Sequence, residues 1–222
     1  MTPSVTPVTP DTKEMESECK WFYFGTNRAK TPSAQQEAKV KLWKSYGEGN
    51  AYGQSLIGEC HYWGWGGIVA NKKEAFRLFR LSAEQGNGWG QNNLGVCYEN
   101  GWGVAEDYNE ADRLFRLSAE QGNALGQYWL GECYYNGQGV AQDLSEAVRL
   151  FRLSAEQGNA SGQCGLGDCY KNGYGVAKDL KEAVRYYRLS AEQGDALGPV
   201  WLQSLARQGN ADAKTALTSL GL

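Results

Sequence analysis

The eleven residues RLFRLSAEQGN at 77–87 recur unchanged at 113–123 and at 149–159, and RYYRLSAEQGD follows at 185–195. Around them Glu74, Glu110, Glu146 and Glu182 stand 36 residues apart, and a weaker block opens at Glu37, offset by 37, with its extra residue between Cys60 and Glu74. A fixed period of this length argues for a stack of similar units, each too small to bury both of its faces alone.

Each block carries two helical patterns. In the first, Ala75, Phe79, Ser82, Ala83 and Gly86 recur at helical spacing, and Leu78 and Leu81 widen the stripe. In the second, Gly90, Leu94, Cys97 and Tyr98 share a face, and the small residues Gly90 and Gly95 let a neighbouring helix approach closely. The boundaries are marked chemically. Asn71/Glu74, Asp107/Glu110, Asp143/Glu146 and Asp179/Glu182 have capping-box spacing, which predicts that each side chain satisfies amides at the helix start. Gly86, Gly122, Gly158 and Gly194 fall where a left-handed residue ends the first helix. Asn87, Asn123, Asn159 and Asp195 then cap the second. Such recurring turns account for 29 glycines in 222 residues, about twice the usual share of ~7 %.

The period predicts an all-α fold, a right-handed α-solenoid of tandem helix-turn-helix repeats of about 36 residues. Its repeats occupy about 37–73, 74–109, 110–145, 146–181 and 182–209, within a solenoid over 33–222, with a capping helix at about 210–220. In the last block Pro199 replaces Gln91 and the return-loop glycines are missing, as suits an outermost unit. Residues 1–32 form a Pro/Thr-rich segment with four of the five prolines, expected to be largely disordered and wholly so over 1–13. Within it Trp21–Phe24 form an apolar cluster placed to cover the first repeat or to dock a partner. Thr31 and Pro32 read as N-cap and first helical residue.

The succession Ala119-Glu120-Gln121-Gly122-Asn123, Leu130-Gly131, Asn136-Gly137-Gln138-Gly139-Val140, then Asp143 and Glu146, resembles the Sel1-like repeat, a relative of the tetratricopeptide repeat. The resemblance covers roughly 34–220. Ala105, Ala141 and Ala177 depart from it, standing where the family often has proline. It implies a helical scaffold that brings other proteins together, not a catalyst. Some secreted members staple each repeat with a cysteine pair and are linked to β-lactam binding and hydrolysis. A secreted protein that binds or hydrolyses such small ligands is therefore the alternative reading. In this chain the first helices carry no cysteine.

The residues themselves point the same way. The one histidine, His61, sits in a column otherwise held by Tyr98, Tyr134 and Tyr170, which favours a structural place over a ligand or base. No catalytic, metal or cofactor site is expected. Cys60, Cys97, Cys133 and Cys169 share one repeat position. Stacked equivalents lie about 10 Å apart, beyond the ~7 Å limit for disulfide Cα atoms, so buried thiols are expected. Cys19 stands in the N-terminal segment and is expected to be the reactive one. With no basic, apolar leader at the N-terminus, these cysteines favour a cytoplasmic setting. A net charge of −3 argues against nucleic acid. No apolar run is long enough for membrane insertion. The expected partner is a protein or peptide, bound by a monomer.

Identical residues build the scaffold, so selectivity belongs to surface columns. Eight of ten arginines lie in the first helices. Arg77, Arg113 and Arg149 form one candidate basic stripe and Arg80, Arg116 and Arg152 a second, each with glutamates near enough to neutralise it. Where the copies differ, the candidate contacts are Trp65, Trp89, Trp102, Tyr128, Trp129 and Tyr174, aromatics of the kind that anchor interfaces.

Overall fold

The computed structural model describes residues 12–24, 33–45 and 49–222. Among these residues there are twelve α-helices and no strand. They fall into two compact units, Met1–Asp107 and Tyr108–Leu222. The first unit holds α1 (Thr12–Phe24), α2 (Ser33–Ser45), α3 (Ala51–Trp63), α4 (Lys72–Glu84) and α5 (Gly88–Asn100). The second holds α6 (Tyr108–Glu120), α7 (Ala124–Asn136), α8 (Leu144–Glu156), α9 (Ala160–Asn172), α10 (Leu180–Glu192), α11 (Leu197–Arg207) and α12 (Ala211–Leu220). Both units are built as all-helical repeats, consecutive helices packing side against side.

The first helix of each repeat buries the stripe its sequence describes. Phe79, Phe115, Phe151 and Tyr187 are almost wholly buried, as are Ala75, Ala111, Ala147 and Ala183 one turn earlier. Glycines in the second helices make the close approach possible. A Cβ on Gly131 would stand 2.7 Å from the Phe151 ring, and one on Gly167 2.8 Å from the Tyr187 ring. A Cβ on Gly126 would stand 2.8 Å from the Ala119 nitrogen, so α7 is pressed from both sides.

The constant polar residues are spent inside this packing. Ser82 and Ser154, fully buried, donate to the carbonyls of Ala51 (2.6 Å) and Ala124 (2.7 Å) in the preceding repeat. Gln85 and Gln157, from two of the three AEQGN stretches, donate to Gln54 and Gln127 at 2.8 Å. The AEQGN sequence therefore joins one repeat to the one before it.

Asn87, Asn123, Asn159 and Asp195 accept backbone N–H bonds at the second-helix starts. Asn71, Asp143 and Asp179 accept from Glu74, Glu146 and Glu182 N–H. The reciprocal half of the predicted capping box is replaced. The N–H groups of Asn71, Asp107, Asp143 and Asp179 donate to the carbonyls of His61, Tyr98, Tyr134 and Tyr170 in the preceding helix. With those amides already bonded, Glu74, Glu146 and Glu182 turn to the arginines three residues on. The return loop then passes very close to the first helix. In its left-handed conformation (φ 65°), Gly175 lies where any Cβ would strike the Leu144 carbonyl oxygen.

The segment expected to be largely disordered contains α1, because its apolar residues find a place to bury. Met15, Cys19 and Phe22 are buried, and α1 packs on α3. Phe22 meets Trp43 and Trp65 edge-on, both at 5.4 Å, while Trp43 and Trp65 stack at 5.6 Å. Glu18 ties α1 to α2, accepting from Lys39 (2.7 Å) and from Trp43 Nε1 (3.0 Å). The side chains of Trp21, Tyr23 and Phe24, and the expected Thr31–Pro32 helix start, lie outside the described residues, as does all of 1–11. At the other end α12 closes the second unit, Ala213 and Ala216 packing with Ala183, Tyr187, Leu202 and Leu205.

Candidate interaction surface

The first arginine column is neutralised where it stands. Arg77, Arg113, Arg149 and Arg185 each hold the glutamate three residues earlier, at 2.6–2.8 Å. That bond holds the Glu74 carboxyl below the ordinary carboxylate range, its main cause being the Arg77 hydrogen bond. The second column is less uniform. Arg80 and Arg188 reach Glu84 and Glu192 at 3.6 and 3.5 Å. Arg116 pairs with Asp112 at 3.2 Å and donates to the Tyr134 hydroxyl. Arg152 has the Tyr170 hydroxyl as its partner, at 3.2 Å.

The aromatic candidates separate by burial. Trp65 and Trp89 are both 8 % exposed, so they belong to the core of the first unit and present almost no surface. Trp102 is half-buried, 4.8 Å from Tyr62 and capped by the Lys72 ammonium at 4.5 Å. In the second unit Trp129 stacks on Phe115 at 5.8 Å, and Tyr128 packs beside Phe151 at 5.9 Å. Both remain partly exposed. Tyr174 is exposed at a loop tip, edge-on to Tyr135 at 5.9 Å.

A cluster that sequence reasoning missed lies at the α9–α11 side of the second unit. Asp168 accepts from the Tyr187 hydroxyl (2.7 Å) and from Lys171 (2.9 Å), and the Lys171 ammonium sits 3.6 Å from the centre of the Trp201 ring. Burial, with the Asp168 charge, pushes the Tyr187 phenol far up. Variation at 168 and 171 between copies was the available signal.

All six cysteines are buried free thiols. Burial pushes Cys97, Cys164 and Cys169 up to about 12. Cys19 corrects the expectation of a reactive thiol. It is fully buried on the inner face of α1, and burial with Glu18, Glu16 and Glu59 raises it further still. Among the described residues, no group of three His, Cys, Asp or Glu side chains is placed to hold a metal ion. No helix among them is long and apolar enough to cross a membrane.

The family model described as Sel1 repeat matches residues 51–87, 90–123, 124–159 and 160–195. A protective antigen present in uropathogenic Escherichia coli strains, displaying an SLR fold, is 32% identical over 82% of this chain, with a TM-score of 0.63. The match takes in 40% of that antigen, so this chain spans well under half its length. A Sel1 repeat protein from Oxalobacter formigenes is 26% identical, covering 95% of this chain and 83% of its own, with a TM-score of 0.65. An immunity protein from Pseudomonas aeruginosa, 19% identical over 90% of this chain and 72% of its own, shares the fold at a TM-score of 0.59. Comparison with curated proteins finds no match.

Proposed function

The chain belongs to the Sel1 repeat family, whose members generally act as non-catalytic protein-interaction scaffolds, and on that premise we propose that it binds a segment of a partner protein on its repeat surface. One observation carries the reading. Most side chains identical between copies are consumed in construction, while several that vary, unlike the buried Trp65 and Trp89, stay partly exposed. The constant serines and glutamines hold repeat to repeat, and the constant Arg77, Arg113 and Arg149 are satisfied by their own glutamates. The variable Trp102, Tyr128, Trp129 and Tyr174 keep exposed area, and Arg80, Arg116 and Arg152 hold weaker or neutral partners. Exposed aromatic and arginine side chains are the residue types of protein hot spots. The net charge of −3 directs the proposal to protein rather than nucleic acid.

The test is selection of displayed random peptides on the full chain. Peptides of one consensus should enrich, and Trp102→Ala with Tyr174→Ala, or charge reversal at Arg116 and Arg152, should weaken them. Enrichment no better than on an unrelated helical protein, with the circular dichroism spectrum intact, would remove the reading.

A further inference from the structure

We propose that the cleft between α2, α3 and α4 receives a segment of a partner protein that carries an apolar side chain next to a carboxylate, and that His61 is the residue that opens it. This names a partner chemistry for the scaffold reading and rests on that reading. The cleft lies within the first unit and has a volume of about 530 Å³, enough for one or two side chains. Trp43, Ile57, Leu78 and Leu81 supply apolar wall, and Lys44, His61, Glu74 and Arg77 line the rest with Gly53 and Gln54.

The tyrosine column explains why a cleft exists here. In the later repeats a phenol ring lies against the first helices. Tyr98 meets Phe76 edge-on at 5.9 Å. Tyr134 takes a hydrogen bond from Arg116. Tyr170 takes one from Arg152 and stacks on Tyr186 at 5.8 Å. At His61 the ring is smaller and has no hydroxyl to reach a guanidinium. Its Nδ1 is buried with no hydrogen-bond partner, a costly state for a polar atom unless something else completes the site.

The wall charges select the occupant. Glu74 is the one carboxylate among the described lining residues, and Arg77 already holds it bidentately, at 2.7 and 3.0 Å. Lys44 is exposed in the last turn of α2 and forms no ion pair with another described residue. Among the described residues the cleft therefore has an ammonium at its rim with no carboxylate paired to it, above an apolar wall. A leucine- or phenylalanine-type side chain fits the wall, and a neighbouring aspartate or glutamate meets Lys44.

The inference is tested by fluorescence polarisation on the full chain with two labelled short peptides. One alternates leucine and phenylalanine with glutamate, and the other carries lysine in place of each glutamate. The acidic peptide should bind at least about tenfold more tightly than the lysine peptide. His61→Tyr restores the ring that the other repeats accommodate, and Lys44→Glu reverses an exposed charge. Each should weaken the acidic peptide by about tenfold or more, while Lys214→Glu, on α12, leaves it unchanged. Binding that survives both cleft substitutions would overturn the cleft and leave the scaffold reading standing. No binding of the acidic peptide at millimolar concentration, or a preference for the lysine peptide, would also overturn it. The scaffold reading falls separately, if peptide selection gives no binder.

Discussion

Ser154 and Ser190 occupy the same repeat position and are equally buried, yet replacing each by alanine should act with different sign. Ser154 Oγ donates to the Ala124 carbonyl at 2.7 Å. Ala124 opens α7, so its carbonyl also accepts the intrahelical N–H, and Ser154→Ala removes a second bond rather than orphaning the acceptor. The expected loss is about 1 kcal/mol. For a chain of this size that lowers Tm by about 2–4 °C. Ser190 Oγ is buried with no partner. Alanine there removes a desolvated hydroxyl that gains nothing, so Ser190→Ala should leave Tm unchanged or raise it. Thermal and urea unfolding followed by circular dichroism, with both variants made in the full chain, decides the matter. Equal losses at the two sites, or a larger loss at Ser190, would refute the reasoning, because volume and burial are matched and only the hydrogen bond differs.

Native thiols should label slowly with a thiol-reactive chromophore at pH 8. With pKa values near 12, the thiolate fraction at Cys97, Cys164 and Cys169 is about one in ten thousand. Rapid release on mixing, before denaturant exposes all six cysteines, would contradict their burial. Gly167→Ala should destabilise by about 1–3 kcal/mol, since the added carbon would stand 2.8 Å from a Tyr187 ring that Asp168 holds by its hydroxyl. A neutral result in urea unfolding would show that the ring can yield. Reversing Arg149 to glutamate should cost less than about 1 kcal/mol, because its pair with Glu146 is solvent-exposed, and the effect should shrink in high salt.

Much of the helical architecture was legible because the chain repeats itself. A stripe such as Ala75, Phe79 and Ser82 is weak evidence once and strong evidence when it returns at fixed spacing. The cap residues were legible for a local reason: Asn87 or Asp179 bonds amides two or three residues away, a geometry the sequence itself spans. The capping boxes failed as a pair because the competing acceptors, the carbonyls of His61, Tyr98, Tyr134 and Tyr170, come from the helix before.

The period, the helix pairs, their caps and the family were determined by the sequence alone, since each rests on contacts among near neighbours or on their repetition. The tertiary structure alone decided which aromatics remain at the surface. Trp65 and Trp102 hold equivalent loop positions, yet Trp65 is covered by Phe22 and Trp43 from the N-terminal helices, while Trp102 keeps an exposed edge under Lys72. Tertiary packing also buried Cys19, which its Pro- and Thr-rich surroundings left looking accessible. Local pattern sets what a segment can become, and burial depends on which distant segments come to rest against it.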